Sequence, residues 1–84
     1  MKPQRLLRRI QQGEVNNIRF SDFVRLVEDL GFVLRRTEGS HRIYKHPDLA
    51  EKLNLQPLTN GDVKPYQARQ LVRLVEQYSL SLEV

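Results

Sequence analysis

The chain has 84 residues, no cysteine and a net charge of +4, so it holds one small core and excludes disulfide stapling, thiolate catalysis and sulfur-ligated zinc. With 39% hydrophobic and 29% charged residues and no long apolar run, the composition is that of a soluble globular protein and excludes a membrane-spanning helix. The basic start Met1 to Arg5 leads into Leu6-Leu7, which Arg8-Arg9 interrupts at once; the apolar stretch of a signal peptide is missing, and a cytoplasmic location is the expectation.

The first element expected is a short amphipathic helix from about Gln4 to Gln12, with Leu6, Leu7 and Ile10 on one side and Gly13 as its stop. At roughly nine residues such a helix is marginal alone, so its apolar stripe must dock on the rest of the chain. After the polar connection Gly13 to Asn17, Ser21 reads as an N-cap and Asp22 as a complement to the helix dipole. Phe23, Leu26, Val27 and Leu30 then recur at helical spacing up to Gly31.

Beyond Gly31 the period changes. Phe32 to Thr37 is strand-like and ends at Glu38-Gly39; Ser40 to His46 is a second strand, turned by Pro47-Asp48; Leu53 to Gln56 alternates apolar and polar before Pro57. Asn60-Gly61 marks a turn and Pro65 suits the first turn of a last helix, along which Ala68, Leu71, Val72, Val75 and Tyr78 keep helical spacing. The alternating tail Leu80, Leu82, Val84 fits a short strand, a hydrophobic tether or a disordered end equally well. Helix, helix, three strands, helix predicts an α+β domain, a three-stranded antiparallel sheet with helices packed on one face. Phe23, Leu26, Val27, Leu30, Leu71, Val72 and Val75 are its expected core.

Charge is unevenly spread, ten Lys/Arg against five Asp/Glu in residues 1 to 45 and four against five in the remainder. A basic half suits a phosphate-bearing partner through counterion release, and it equally describes a solvated face. Histidine is the side-chain type suited to proton transfer near neutral pH, and the chain has two, His41 and His46. Five positions apart on one regular strand they point to opposite faces, which argues against a shared metal or a paired acid and base.

Gly39 can take the backbone angles of a tight turn, which sets Ser40 and His41 at the mouth of the second strand. There a neutral imidazole could take the proton of an RNA 2′-hydroxyl while nearby Arg42 and Lys45 bind the phosphodiester and offset transition-state charge. The alternative is an ordinary surface histidine in a hairpin. His46, before Pro47, reads as structural or substrate-facing. Tyr44 reads as a half-buried strand residue or a base-stacking one, and Phe20, Phe23 and Phe32 as core residues. The chain has no glycine-rich nucleotide loop, no Cys/His cluster and only scattered carboxylates, so no metal or cofactor is expected.

The ordered set Leu30-Gly31-Phe32, Arg36, Gly39-Ser40-His41 and Tyr44, followed by His46-Pro47, Leu53-Asn54-Leu55-Gln56 and Lys64-Pro65, resembles the HicA family of toxin–antitoxin toxins over about residues 18 to 78. The resemblance implies a single domain over 1–84, with residues 1–17 an N-terminal helical extension, 18–78 the core and 79–84 a tail. It implies an α-β-β-β-α fold like that of double-stranded-RNA-binding domains, preceded here by the extra helix. It also implies a metal-independent endoribonuclease acting on messenger RNA, with His41 as the catalytic residue and a HicB-type antitoxin as protein partner. Gly39, Ser40, Arg42, Lys45, His46 and Lys64 are the expected RNA-contacting residues. The family often has a second histidine directly after the first; this chain has Arg42 there. Two other classes fit the residues, a non-catalytic RNA-binding module of the same fold and a protein-interaction domain with a basic face.

Overall fold

A computed structural model describes residues 1–82, in the order α1 (Pro3–Gln11), α2 (Phe20–Asp29), β1 (Val33–Glu38), β2 (His41–Lys45), β3 (Lys52–Leu55) and α3 (Pro65–Tyr78). The fold is α+β, with three antiparallel strands in the order β1-β2-β3 and three helices, consistent with a double-stranded-RNA-binding-domain-like architecture.

Proline opens both α1 and α3 at their first turn, where its missing N–H costs nothing. Glycine closes α1 and α2. At Gly13 and Gly31, φ is +92° and +103°, and the next residues, Glu14 and Phe32, donate back to Arg9 and Val27 at 3.2 Å each. These left-handed closures satisfy the last carbonyls of each helix.

The start of α2 differs from expectation. The helix begins at Phe20 with Arg19 as its N-cap and no side-chain cap, so Ser21 lies inside the first turn. A tertiary contact replaces the cap: Phe20 N–H donates to Gly61 O at 2.9 Å, beside an antiparallel bridge between Arg19 and Asp62. Val63 N–H adds a bond to Ile18 O at 2.8 Å, and Pro57 bridges to Val63. These links tie the approach to α2 to the approach to α3 and fix where Lys64 emerges.

Phe23, Leu26, Val27, Leu30, Leu71 and Val75 are buried as expected, and Val72 is partly so. The core also includes Leu6 and Ile10 of α1, Ile18 and Phe32, and Tyr44, Leu53 and Leu55 on the inner face of β2 and β3. Helix α1 packs on α2 and α3 rather than on the sheet. Leu80 and Leu82 pack against the core, and Leu80 N–H closes α3 on Val75 O at 3.0 Å, so this part of the tail is a tether; Val84 lies outside the described residues.

Strand β1 is exposed at all six positions. Its pairing with β2 runs Val33 with Lys45 and Leu34 with Tyr44, then Arg36 with Ile43, Thr37 with Arg42 and Glu38 with His41, with an irregularity between Leu34 and Arg36. Arg35 is the extra residue of a β-bulge, which resets the alternation of faces along the strand.

Candidate active site

Glu38 and His41 face each other across a two-residue connection, Gly39-Ser40. Gly39 has φ +59° while Ser40 keeps a negative φ, the pattern of a type II′ hairpin turn, which takes glycine at its first central position because a side chain there would clash. The turn puts His41 at the first position of β2, exposed, on the sheet face away from the helices. Ile43 and Lys45 follow it on that face by alternation, and Tyr44 points into the core.

Three polar residues from further along the chain build the surroundings of the turn. In β3, Leu53 and Leu55 are buried, so Asn54 between them projects to the open face. Its Oδ1 lies 3.0 Å from His41 Nδ1. An amide oxygen only accepts, so in this orientation the contact selects the Nδ1–H tautomer of a neutral His41, in which the Nε2 lone pair is free. Gln56 donates through Nε2 to Ser40 Oγ at 2.8 Å, and its Oε1 accepts from Lys64 Nζ at 2.9 Å. Lys64, directly before α3, is thereby joined to the turn through one side chain.

Behind them stands Gln67 of α3, 1% exposed. Its Nε2 donates to Asn54 O at 3.1 Å and its Oε1 accepts from Gln56 N–H at 3.4 Å. A buried amide that satisfies both flanking backbone groups holds the end of β3 in place, and through it the side chains that meet His41 and Ser40. Glu38 sits opposite His41 in register, and Arg36 Nε engages its carboxylate at 3.0 Å.

The expected site residues divide between places. Gly39, Ser40, His41 and Lys64 come together. Lys45 shares the open face with His41 at the far end of β2. Arg42 does not: its guanidinium lies over the Phe20 ring, 5.4 Å from the centroid, on the helix side of the sheet. Tyr44 is 1% exposed and is a core residue. His46 is buried beyond the end of β2, edge-on to Phe32 with centroids 5.2 Å apart, its Nδ1 accepting Asp48 N–H at 3.1 Å. The two histidines therefore lie apart, His41 exposed at the start of β2 and His46 packed on Phe32 beyond its end. No group of three or more His, Asp or Glu capable of holding a metal occurs among the described residues. None of their helices is long and apolar enough to cross a membrane.

A small α+β domain with an open sheet face, one solvent-facing histidine at a glycine turn and a lysine wired to that turn is the class defined by fold and site. The chain belongs to the HicA toxin family: the family model described as "HicA toxin of bacterial toxin-antitoxin" matches residues 20–77. It is thus a member of a family of toxins from bacterial toxin–antitoxin systems. Helix α1 lies outside the matched segment. Searches of curated proteins and of solved structures found no match.

Proposed function

We propose that the protein is an endoribonuclease that cuts messenger RNA without a metal ion, using His41 as its proton-transfer group. The observation that carries this reading is the exposed imidazole with Nδ1 held at 3.0 Å from an acceptor, Asn54 Oδ1. A fixed Nδ1–H leaves Nε2 as a base directed to solvent, the arrangement general base catalysis needs.

In this mechanism Nε2 removes the proton of a ribose 2′-hydroxyl, and the oxygen attacks the adjacent phosphorus. The bond from phosphorus to the 5′-oxygen breaks, leaving a 2′,3′-cyclic phosphate on one fragment; the departing 5′-oxygen takes a proton from water, and the hydroxide so formed takes the proton from the His41 imidazolium, which restores the neutral base. The Lys64 ammonium, linked to Ser40 through Gln56, supplies positive charge near the phosphorane, and the N–H groups of the Gly39-Ser40 turn are available to its oxygens. All the groups required are organic side chains and backbone. Family membership supports an RNA substrate and an antitoxin partner. A HicB-type antitoxin in the cytoplasm that covers the His41 turn would silence the enzyme.

The test is His41→Ala. A general base contributes about 10² to 10⁴-fold in rate, whereas removing an exposed side chain at a strand end changes stability by about 0.5 kcal/mol or less. The variant should fold, melt and bind RNA like the wild type yet fail to cut, and wild-type cleavage should persist with a metal chelator present. Cleavage by purified, folded His41→Ala protein at the wild-type rate refutes the assignment. Wild-type protein that binds RNA and never cuts it identifies a binding module instead.

A further inference from the structure

The open sheet face carries a second feature at the end of β2 away from His41. Arg35, Arg36, Lys45 and Lys52 surround Ile43 and line one shallow concavity. Ile43 is only 9% exposed although no helix covers it, because the aliphatic stems of long cationic side chains lie along apolar surface and keep their charged ends in water.

Two features of the ladder create this cluster. Register places Lys45 directly opposite Lys52, with β-carbons about 4.5 to 5.5 Å apart in such pairs, an arrangement of like charges that opposes folding. The bulge then adds Arg35 next to Arg36, where a regular strand would send consecutive residues to opposite faces. Arg36 is paired with Glu38, whereas Arg35, Lys45 and Lys52 have no carboxylate partner among the described residues. A face that gathers unpaired cations at a cost to its own stability is suited to a polyanion.

We propose that this cluster is a backbone-binding subsite for RNA, holding the phosphates of the strand that continues past the scissile bond. The inference rests on the RNA-cleaving reading above and extends it to the substrate's path. His41 to Lys45 spans four residues of one strand, about 13 Å at 3.3 Å per residue, so a phosphodiester at His41 and the next few phosphates lie on one continuous face. The subsite reads charge and not sequence. Of Phe, Tyr and Trp the three strands hold only Tyr44, which is buried in the core, and the exposed His41 ring lies at the other end of β2, so the cluster itself offers no aromatic ring for bases to stack on.

The test uses RNA carrying 2′-O-methyl groups, which cannot be cut, as a trinucleotide and as a dodecanucleotide of several sequences. Affinity is measured against salt for the wild type, Arg35→Gln, Lys52→Gln and the double variant. The wild type should bind the longer RNA more tightly in a sequence-independent manner. Each substitution should make the slope of log affinity against log salt shallower by about 0.7, and the double variant should lose most of the gain with length. Lys52→Gln should melt no lower than wild type, since it removes a like-charge pair, and Lys52→Arg should retain the slope. Unchanged slopes and length gain in the double variant overturn the subsite, and would leave the face for an acidic protein. Wild type that binds neither RNA overturns both the subsite and the ribonuclease reading. Binding that follows these expectations in a protein unable to cut unmodified RNA supports the subsite and refutes only the catalytic assignment.

Discussion

Replacing Asn54 should slow cleavage without abolishing it. Its Oδ1 lies 3.0 Å from His41 Nδ1, the distance of an ordinary neutral hydrogen bond, which contributes about 0.5 to 1.5 kcal/mol net. If that stabilisation is expressed in the transition state, where the imidazole becomes cationic, Asn54→Ala should lower kcat by roughly 2- to 13-fold. This is well below the loss on removing His41 itself. Asn54→Asp, if the new carboxylate keeps the contact, should favour the imidazolium and move the acidic limb of the kcat–pH profile upward. The assay is single-turnover cleavage of a labelled RNA between pH 5 and 9, with KM measured in parallel. An Asn54→Ala protein with wild-type kcat and pH profile would refute the claim that this contact prepares the base.

Other substitutions probe the frame around the site. Leu6→Ala, at a 1% exposed position of α1, should cost about 2 to 5 kcal/mol in denaturant unfolding; a much smaller loss would mean that α1 is not docked as described. Gly31→Ala puts a β-carbon at φ +103° and 2.9 Å from His46 Nε2, so it should destabilise by more than about 1 kcal/mol, and an unchanged melting curve would contradict that packing. The Tyr78 phenol, bonded to Glu51, is raised above its usual value of 10.0, first by that hydrogen bond and then by burial and the carboxylate charge. A raised folded value adds stability that is complete below pH 10 and lost as pH climbs through it. Wild type should therefore be more stable than Tyr78→Phe below pH 10, with the gap closing as pH rises through the raised value, and a gap that stays constant across that range would refute the contact.

The helices were legible in the sequence because each has a local start or stop, Pro65 at the beginning of α3 and Gly13 and Gly31 at the ends of α1 and α2, with apolar spacing between. Ser21 misled because the approach to α2 is capped by Gly61, some forty residues away in sequence, a contact no local pattern encodes. The position of His41 followed from Gly39. Its surroundings did not: Asn54, which meets the imidazole, and Gln67, which holds the end of β3, lie 13 and 26 positions further on, and their types read as ordinary strand and helix-face residues. The one available signal was the alternation of Leu53, Asn54, Leu55 and Gln56, which sends the two polar residues away from the core. Arg42 was placed beside His41 by proximity in sequence, yet adjacent strand residues face opposite ways, and Phe20 holds it on the helix side. Val33 and Leu34 read as strand residues, and they are 53% and 43% exposed because β1 stands clear of the helices.

That exposed strand has a bearing on solubility. β1 is the outermost member of the sheet on its side, and an unpaired edge bearing apolar side chains such as Val33 and Leu34 is a template on which another chain can extend the sheet. The kink at Arg35 interrupts the run of evenly spaced backbone donors and acceptors that such a chain would need, and the neighbouring arginines repel a second copy of the same segment. Straightening β1 would therefore turn a guarded edge into one prone to self-association.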